Sequence, residues 1–502
     1  MPRFKEMAHN PEQLWLLPPS LEELVGKDWD VRMLSEVMDC LDWSNLESDC
    51  VGPGRPCYPP KVMTKILVYA YSKGVRSSRK IEELVSCDVR YMWLAGCLKP
   101  DFHTIARFRK DNSDEFTKLF ADSVRLCKDS GLVLMHVVSV DGSKLAANAS
   151  RDSMYSQKRL DRELASVEKI LREAEEVDKA EDAEYGDGNG ITVPDDLKDA
   201  NKRREKIRAL AEKLKANKSK YVSSSDDECR MMKTRSGVRP AYNVQAAVDS
   251  EHQVIVATKV VQTEHDHGQL ADMLVEVKGN TGLDSCLVLA DTGYCDEATL
   301  IALDDAGQDA LIPPEKHSSE SKRNDLFCSR CFVGDNDKDT LICPAGRELA
   351  RRNNSKCSSG TYKVYRARGC RSCSFQSECV KGKINREVRI SVVAELRDKM
   401  MNGLKSAAGK EVFRLRGQTV EPVFGQVKHD RGLDRLYLNG IDGAKAEVML
   451  GFLAHNLMKC ARWGRKCALS ADLAKLIDAA GQLFTNIINE CRIGSDICAE
   501  AA

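Results

Sequence analysis

Neither sign of charge dominates this chain: 76 Lys and Arg are matched by 76 Asp and Glu, a formal net charge of +0. No global basic excess advertises a nucleic-acid partner, so any such surface must come from uneven placement. Long apolar runs are lacking too. None approaches the roughly 18 residues needed to span a bilayer, which excludes a transmembrane helix and predicts a soluble protein. The N-terminal Met1-Pro2-Arg3-Phe4-Lys5 has no signal-peptide core, so the expected compartment is the reducing cytoplasm. Twenty cysteines are present. In a chain this long, with scattered spacing, they read as reduced thiols with a metal-binding subset and not as a disulfide framework.

What is present begins with Gly131–Asp141, a run of β-branched and apolar residues that ends in a carboxylate and Gly142. Such a run reads as a strand buried on both faces. A charge at the end of a buried strand is costly unless paired or bound to a metal, so Asp141 is either a helix cap or a ligand. The 502 residues suffice for two or three domains. Charge is indeed uneven: Arg55 to Lys110 holds twelve Lys or Arg against four Asp or Glu. Ahead of that segment come the apolar patch Leu14-Trp15-Leu16-Leu17 and an amphipathic helix from about Val31 to Leu41. Within it, helices are expected at Lys61–Ser72, with Val62, Ile66 and Tyr69 on one face, then from Ser77, then over Asp101–Asp111. Short helices with basic faces suit a helix-turn-helix-like DNA reader. They equally suit an ordinary bundle with a solvated basic face.

Residues 150–222 change character. Leu160, Leu164, Val167, Leu171 and Ala174 recur at spacings of four and three, a coiled-coil-like seam. Gly186–Gly190 breaks it before a second charged helix carrying Ile207, Leu210 and Leu214. This is a helical hairpin inserted into a domain, a solvated spacer or a dimer contact. Strands then follow at Ala241–Asp249 and Val254–Val261, joined by a hairpin turn at Ser250-Glu251-His252. A helix over His265–Gly279, a strand Cys286–Asp291, a helix Glu297–Ala306 and a strand Ala310–Pro313 come next. Three strands, helix, strand, helix, strand is the order of an RNase H-like α/β domain with a mixed five-stranded sheet. Ligands collect at the edge where its parallel strands end.

A cysteine-rich insertion, residues 320–390, interrupts this pattern. Cys343, Cys370, Cys373 and Cys379 are the favoured thiolates of a tetrahedral zinc site, with Cys328 and Cys331 as rivals. The unpaired alternative is a set of plain thiols. Beyond it, Glu421 and Lys428 are seven residues apart, which sets them within about 20° on a continuous helix. Pro422 predicts that this helix starts near Thr419 or kinks there. Glu421 alone reads as a first-turn glutamate favoured by the helix dipole. Glu447 and His455, on an apolar helix over Ala444–Trp463, read as packing or surface residues.

Taken in order, Leu16–Leu24, Ser77–Ile81, Phe108–Lys110, Asp141-Gly-Ser-Lys144 with Ala147–Ala149, Tyr242–Gln245, Ala290-Asp-Thr-Gly-Tyr294, Cys343-Pro-Ala-Gly346, Val420–Gly425 and His455–Leu457 resemble the DDE transposases of bacterial insertion sequences. The branch with a cysteine-rich insertion before its glutamate is the nearest in pattern. The resemblance implies a helical N-terminal DNA-binding domain (1–125), an RNase H-like catalytic domain (126–465) interrupted at 150–222 and 320–390, and a C-terminal tail (466–502). It implies a catalytic triad of Asp141, Asp291 and Glu421 holding two Mg²⁺ or Mn²⁺ ions about 4 Å apart, Asp141 touching both. Lys428 and Arg416 answer to the lysine and arginine of the family's tyrosine–arginine–glutamate–lysine signature. Phe413 stands in place of the tyrosine, and the Arg416–Glu421 spacing is one residue longer than the commonest form. Arg76, Arg79, Lys80, Arg107, Arg109 and Lys110 are expected at DNA phosphates. Double-stranded DNA (terminal inverted repeats and target), a homodimer or larger assembly, and a bacterial, nucleoid-associated location complete the expectation. Its rivals are an inactive, domesticated DNA-binding copy and an RNase H-like nuclease without transposition.

Overall fold

The computed structural model describes residues 20–465, apart from 28, 49–56, 186–194, 218, 284–286, 315–326, 328–330, 336–337, 358–359 and 381–383. The Leu14–Leu17 patch, the glycine break at 186–190, Cys328 and the tail 466–502 lie outside the described residues. The chain divides into two compact units. The first takes the chain up to Leu132 together with Asp430–Gly432 and the stretch from Met449; the second takes Val133–His429 and Leu433–Val448.

The first unit is helical. Its hub is Pro60–Ser72, where proline opens the helix at a position whose N–H would be unpaired anyway. From Met63 to Tyr71 every residue is buried, so this helix has no solvent face; Val62, expected inside, is only half-buried. Lys65 is buried within it because its ammonium donates to Ser35 Oγ (2.8 Å) and Asp39 Oδ1 (2.7 Å), the pairing a buried cation requires. Ser78–Cys87, Val89–Ala95 and Phe102–Asp111 follow, the last two capped by Asp88 and Asp101. Ser113–Asp129 packs against the C-terminal half of a helix over 440–465, with Asn456 Nδ2 donating to Ser123 Oγ at 3.4 Å and Trp463 Nε1 to the Ser130 carbonyl at 3.0 Å. His455 is buried there, its Nδ1 2.8 Å from Arg431 Nη1.

The second unit is built on a mixed sheet of six strands, one more than expected, because Arg230–Thr234 pairs with the start of Gly237–Asp249. The other strands run in spatial order Ile255–Val261, Gly237–Asp249, Val137–Ala146, Leu287–Ala290, Ala310–Leu311. Val137–Ala146 is central: antiparallel to Gly237–Asp249 along its length, and parallel to Leu287–Ala290 only from Val137 to Val140. The strand expected to stop at Asp141 therefore continues to Ala146, since one neighbour still pairs with it after the other has ended. The helix expected from His265 begins at Leu270, leaving 262–269 as a connection. Gln157–Tyr185 and Asp195–Ala216 form the inserted hairpin. Leu160, Val167, Ile207, Leu210 and Leu214 bury one another, and Arg203–Glu163 and Arg208–Glu168 pairs, each 3.3 Å, join the helices. The seam is thus consumed inside the hairpin. The cysteine-rich segment forms a second, wholly antiparallel six-stranded sheet from Val333 to Ser391, with a small core of Phe332, Leu341, Leu349, Tyr365 and Val388.

Ala407–Gly425 runs as one helix through Pro422, against the expected alternative of a start near Thr419, and passes into a π-turn at Gln426–Asp430. Proline cannot donate to the carbonyl four residues back. That carbonyl, Gln418 O, instead accepts from Gln253 Nε2 at 3.0 Å. We expect Gln253→Ala to lower stability by about 0.5–1 kcal/mol, read from the midpoint of urea unfolding. Pro422→Ala in the same chain restores the N–H and should recover that loss; an unchanged midpoint in Gln253→Ala alone would show that the bond is not needed.

Candidate active site

Asp141 and Asp291 follow the last paired register, Val140 with Ala290, of two parallel neighbouring strands. That registration alone sets their backbones side by side. Asp291 accepts from Gly293 N at 2.8 Å and so caps the short turn Thr292–Tyr294; Asp141 accepts only its neighbour Gly142 N, at 2.9 Å, and caps no helix. Glu421 comes from the Ala407–Gly425 helix, which packs on the same strands.

The three carboxylates surround one guanidinium. Arg416 Nη2 lies 3.3 Å from Asp141 Oδ1 and 3.9 Å from Asp291 Oδ2, and its Nη1 lies 3.9 Å from Glu421 Oε1. Arg416 is 16% exposed, Asp141 20%, Asp291 41% and Glu421 64%, so the cluster opens from a buried floor to a solvent rim. Burial pushes the Asp141 carboxyl up to about 6; Arg416 opposes the rise, and Asp291 and Asp266 add to it. Lys428 reaches Asp141's strand, donating to Ser143 Oγ and, at 3.5 Å, to Lys144 O. Burial, then Arg235, holds its ammonium down to about 8 against the pull of Asp141. Because the π-turn begins at Gln426, the seven-residue phase that would align Lys428 with Glu421 does not apply. Glu447 is buried and accepts from Tyr437 N (2.7 Å) and Leu438 N (2.6 Å), a fold contact.

Two expected phosphate contacts need correction. Arg76 and Arg109 are each only 4% exposed. Arg109 Nη1 donates to the Arg76 carbonyl at 2.7 Å and to Tyr71 Oη at 3.2 Å, so it holds a loop onto the hub helix. Arg79, Lys80, Arg107 and Lys110 are exposed, with Arg79 over the Phe102 ring (5.0 Å) and Lys80 bonded to Glu83 (2.6 Å).

Cys343, Cys370, Cys373 and Cys379 line one cavity together with Phe327, Phe375 and Arg386. Cys343 Sγ accepts from Arg347 N at 3.3 Å and Cys370 Sγ from Arg386 N at 3.4 Å. Among the described residues, no three thiol, imidazole or carboxylate side chains already stand at metal-holding separation, at this cavity or at the acids. At the acids, the Arg416 guanidinium occupies the space between them. Their donor set, hard oxygens around a single cationic centre, fits a divalent ion such as Mg²⁺.

A fourth acid went unpredicted. Asp266, in the connection 262–269, lies against the residue that follows Asp141 and beside the turn that Asp291 caps: a Cβ on Gly142 would stand 2.5 Å from Asp266 Oδ1, and one on Gly293 3.5 Å from Asp266 Oδ2. Its sequence signal was faint, an acid just past a buried strand.

The raised Asp141 carboxyl has a pH consequence. Its folded value of about 6 exceeds the unfolded value of about 3.9, so its contribution is fully present below about pH 4 and is lost as pH rises through 6. Permanently neutral Asp141→Asn should therefore melt higher than wild type at pH 7.5 in chelator, by at most about 3 kcal/mol. The advantage should vanish at pH 4. Equal melting at both pH values would show that burial does not burden this carboxylate.

Two family models match the chain. A Transposase DDE domain matches residues 342–461, a span that holds Arg416, Glu421 and Lys428 but not the two aspartates. A Transposase domain (DUF772) matches residues 19–111, within the helical first unit. No curated protein matches the chain. Among the described residues no helix is long and apolar enough to cross a membrane. An N-terminal match to a transposase domain followed by a match to a DDE domain points to a DDE transposase of the insertion-sequence type.

Proposed function

We propose that this protein binds the ends of a mobile DNA element and cuts and joins DNA strands at Asp141, Asp291 and Glu421. The observation that carries the reading is the convergence of these three acids, 150 and 130 residues apart in the chain, on one guanidinium at the end of a parallel strand pair. The strand order supports an RNase H-like catalytic domain, and the DDE match supports DNA as substrate. Asp141, Asp291 and Glu421 would hold the divalent ions, which supply an activated water or 3′-hydroxyl nucleophile and offset charge on the leaving oxygen. Arg416 neutralises the acids where that charge is absent. Lys428, beside Ser143, offers an ammonium to a phosphate as a point charge.

The helical first unit is the proposed end-binding domain, with Arg79, Lys80, Arg107 and Lys110 as its phosphate contacts. Handling two ends together calls for at least a dimer on bacterial chromosomal DNA. With its apolar seam already closed, the inserted hairpin could contribute only its charged outer faces to such an assembly.

Asp141→Asn, Asp291→Asn and Glu421→Gln should each reduce strand cleavage in Mg²⁺ by about 100- to 1,000-fold, the scale on which loss of electrostatic stabilisation acts, while a gel-shift assay shows unchanged end binding. Near-normal cleavage by any one removes that residue from the reading. Hydrolysis without joining by wild type would make the protein a nuclease, and end binding without cleavage a domesticated copy. Neutralising Arg79, Lys80, Arg107 and Lys110 together should flatten the salt dependence of end binding; an unchanged slope excludes them.

For the second sheet, four thiols around one cavity, two accepting backbone N–H groups, support a structural Zn²⁺ held by Cys343, Cys370, Cys373 and Cys379 after rotamer closure. Purified protein should carry about one zinc per chain at this Cys₄ site, lost in Cys370→Ser with a lowered melting temperature. Zinc-free protein of full stability would end this assignment.

A further inference from the structure

We propose that Asp266 is a positioning residue, the hub of a buried brace on the reverse face of the sheet that sets the spacing between Asp141 and Asp291. The inference rests on the metal-binding reading of those two acids and adds to it the device that holds them in place.

Side chains alternate along a strand, so Asp141 and Ser143 face one side of the sheet while Gly142 and Lys144 face the other. Across the antiparallel pair, Gly142 registers with Gln245 and Lys144 with Asn243. On that reverse face Asp266 Oδ1 accepts three donors: Gln245 Nε2 at 2.7 Å, Asn243 Nδ2 at 2.8 Å and Lys144 Nζ at 3.2 Å. Oδ2 lies 3.3 Å from the same ammonium. The donors are themselves locked. Gln245 Nε2 also donates to Asn243 Oδ1 at 3.0 Å, Asn243 Nδ2 also donates to Thr263 O at 3.1 Å, and Tyr294 Oη donates to Gln245 Oε1. Asn243, Gln245 and Tyr294 are wholly buried.

The path this draws runs from one aspartate to the other. Tyr294 closes the turn that Asp291 caps. Gln245 sits opposite the residue after Asp141, and Lys144 is on Asp141's own strand. Asp266 ties the last two together. Position 142 must be bare for it to fit: a Cβ there would stand 2.5 Å from Asp266 Oδ1 and from Gln245 Nε2, whereas one at 293 would meet Asp266 Oδ2 only at 3.5 Å. Burying three uncharged polar side chains to hold one carboxylate is expensive unless their bonds are all made. A surface ion pair between Lys144 and Asp266 would not require it. Partners behind metal-ligating groups alter ion affinity about 10- to 100-fold.

The test is Mn²⁺ binding to the full chain without DNA, followed by the decline of the free-ion electron paramagnetic resonance signal. Asp266→Asn and Tyr294→Phe should each weaken Mn²⁺ binding about 10-fold, while end binding in a gel-shift assay stays unchanged. Tyr294→Phe keeps the ring packed and removes only a hydroxyl whose hydrogen bond runs to Gln245, so its effect reports bracing and not a lost ligand. The double variant should bind no more weakly than the weaker single, as members of one unit do. Wild-type affinity in both single variants, or losses that multiply in the double, overturns the brace and leaves the triad standing. A wild-type protein that binds no Mn²⁺, matched by Asp141→Asn, overturns the metal reading and the brace with it.

Discussion

Gathering three carboxylates at one strand end is electrostatically unfavourable unless a positive charge shares the space, and Arg416 supplies it. Its guanidinium, 3.3 to 3.9 Å from all three acids, is the contact on which the candidate site depends. A planar, permanently charged group with several donors can face several carboxylates at once, which a lysine ammonium does less well. The compensation is partial: Asp141, deepest of the three, still holds its proton to about 6. Burial is the larger influence on that carboxyl, and the guanidinium offsets it only in part.

Around that contact the backbone is arranged to bring parts from distant places in the chain. Two parallel strands whose mutual pairing ends at Val140 and Ala290 supply the aspartates. The glutamate arrives on a helix that tolerates Pro422 because Gln253, from the turn between two strands of the sheet, accepts the role of the missing N–H donor toward Gln418 O. The same helix then widens into a π-turn, which sends Lys428 toward Ser143. Insertions of a closed helical hairpin and a second sheet lengthen the sequence between these parts without entering the main sheet, because each buries its own apolar residues.

Asp141 and Asp291 were legible because a charge at the end of a buried apolar run is costly and so calls for an explanation; Glu421, which reads locally as a dipole-favoured helix residue, was marked only by the resemblance. The Arg416 contact was legible only as a resemblance, with an odd spacing that left its geometry open. Asp266 escaped because its partners Asn243, Gln245 and Lys144 lie on strands far from it in sequence, and nothing local marks a carboxylate in a connection as buried. The opposite error befell Arg76 and Arg109. A basic cluster reads as surface, yet both are packed inside, with Arg109 Nη1 bonded to a carbonyl and a tyrosine hydroxyl. Charge counts register how many cations a segment has and not which of them face water.

Local pattern by itself determined the helical first segment, the strand–helix alternation, the hairpin seam, the clustered cysteines and the two costly carboxylates, Asp141 and Asp291, at strand ends. All of these follow from short-range periodicity and from the expense of burying charge. Tertiary structure decided what range cannot reach: the sixth strand, the continuation of the central strand past Asp141, the unbroken helix through Pro422, the neutralising position of Arg416 and the network beneath the sheet. Apart from the sixth strand, which pairs with its immediate successor, these depend on partner groups tens to hundreds of residues away, and hydrogen-bond and ion-pair satisfaction is a property of neighbours in space, which sequence separation does not encode.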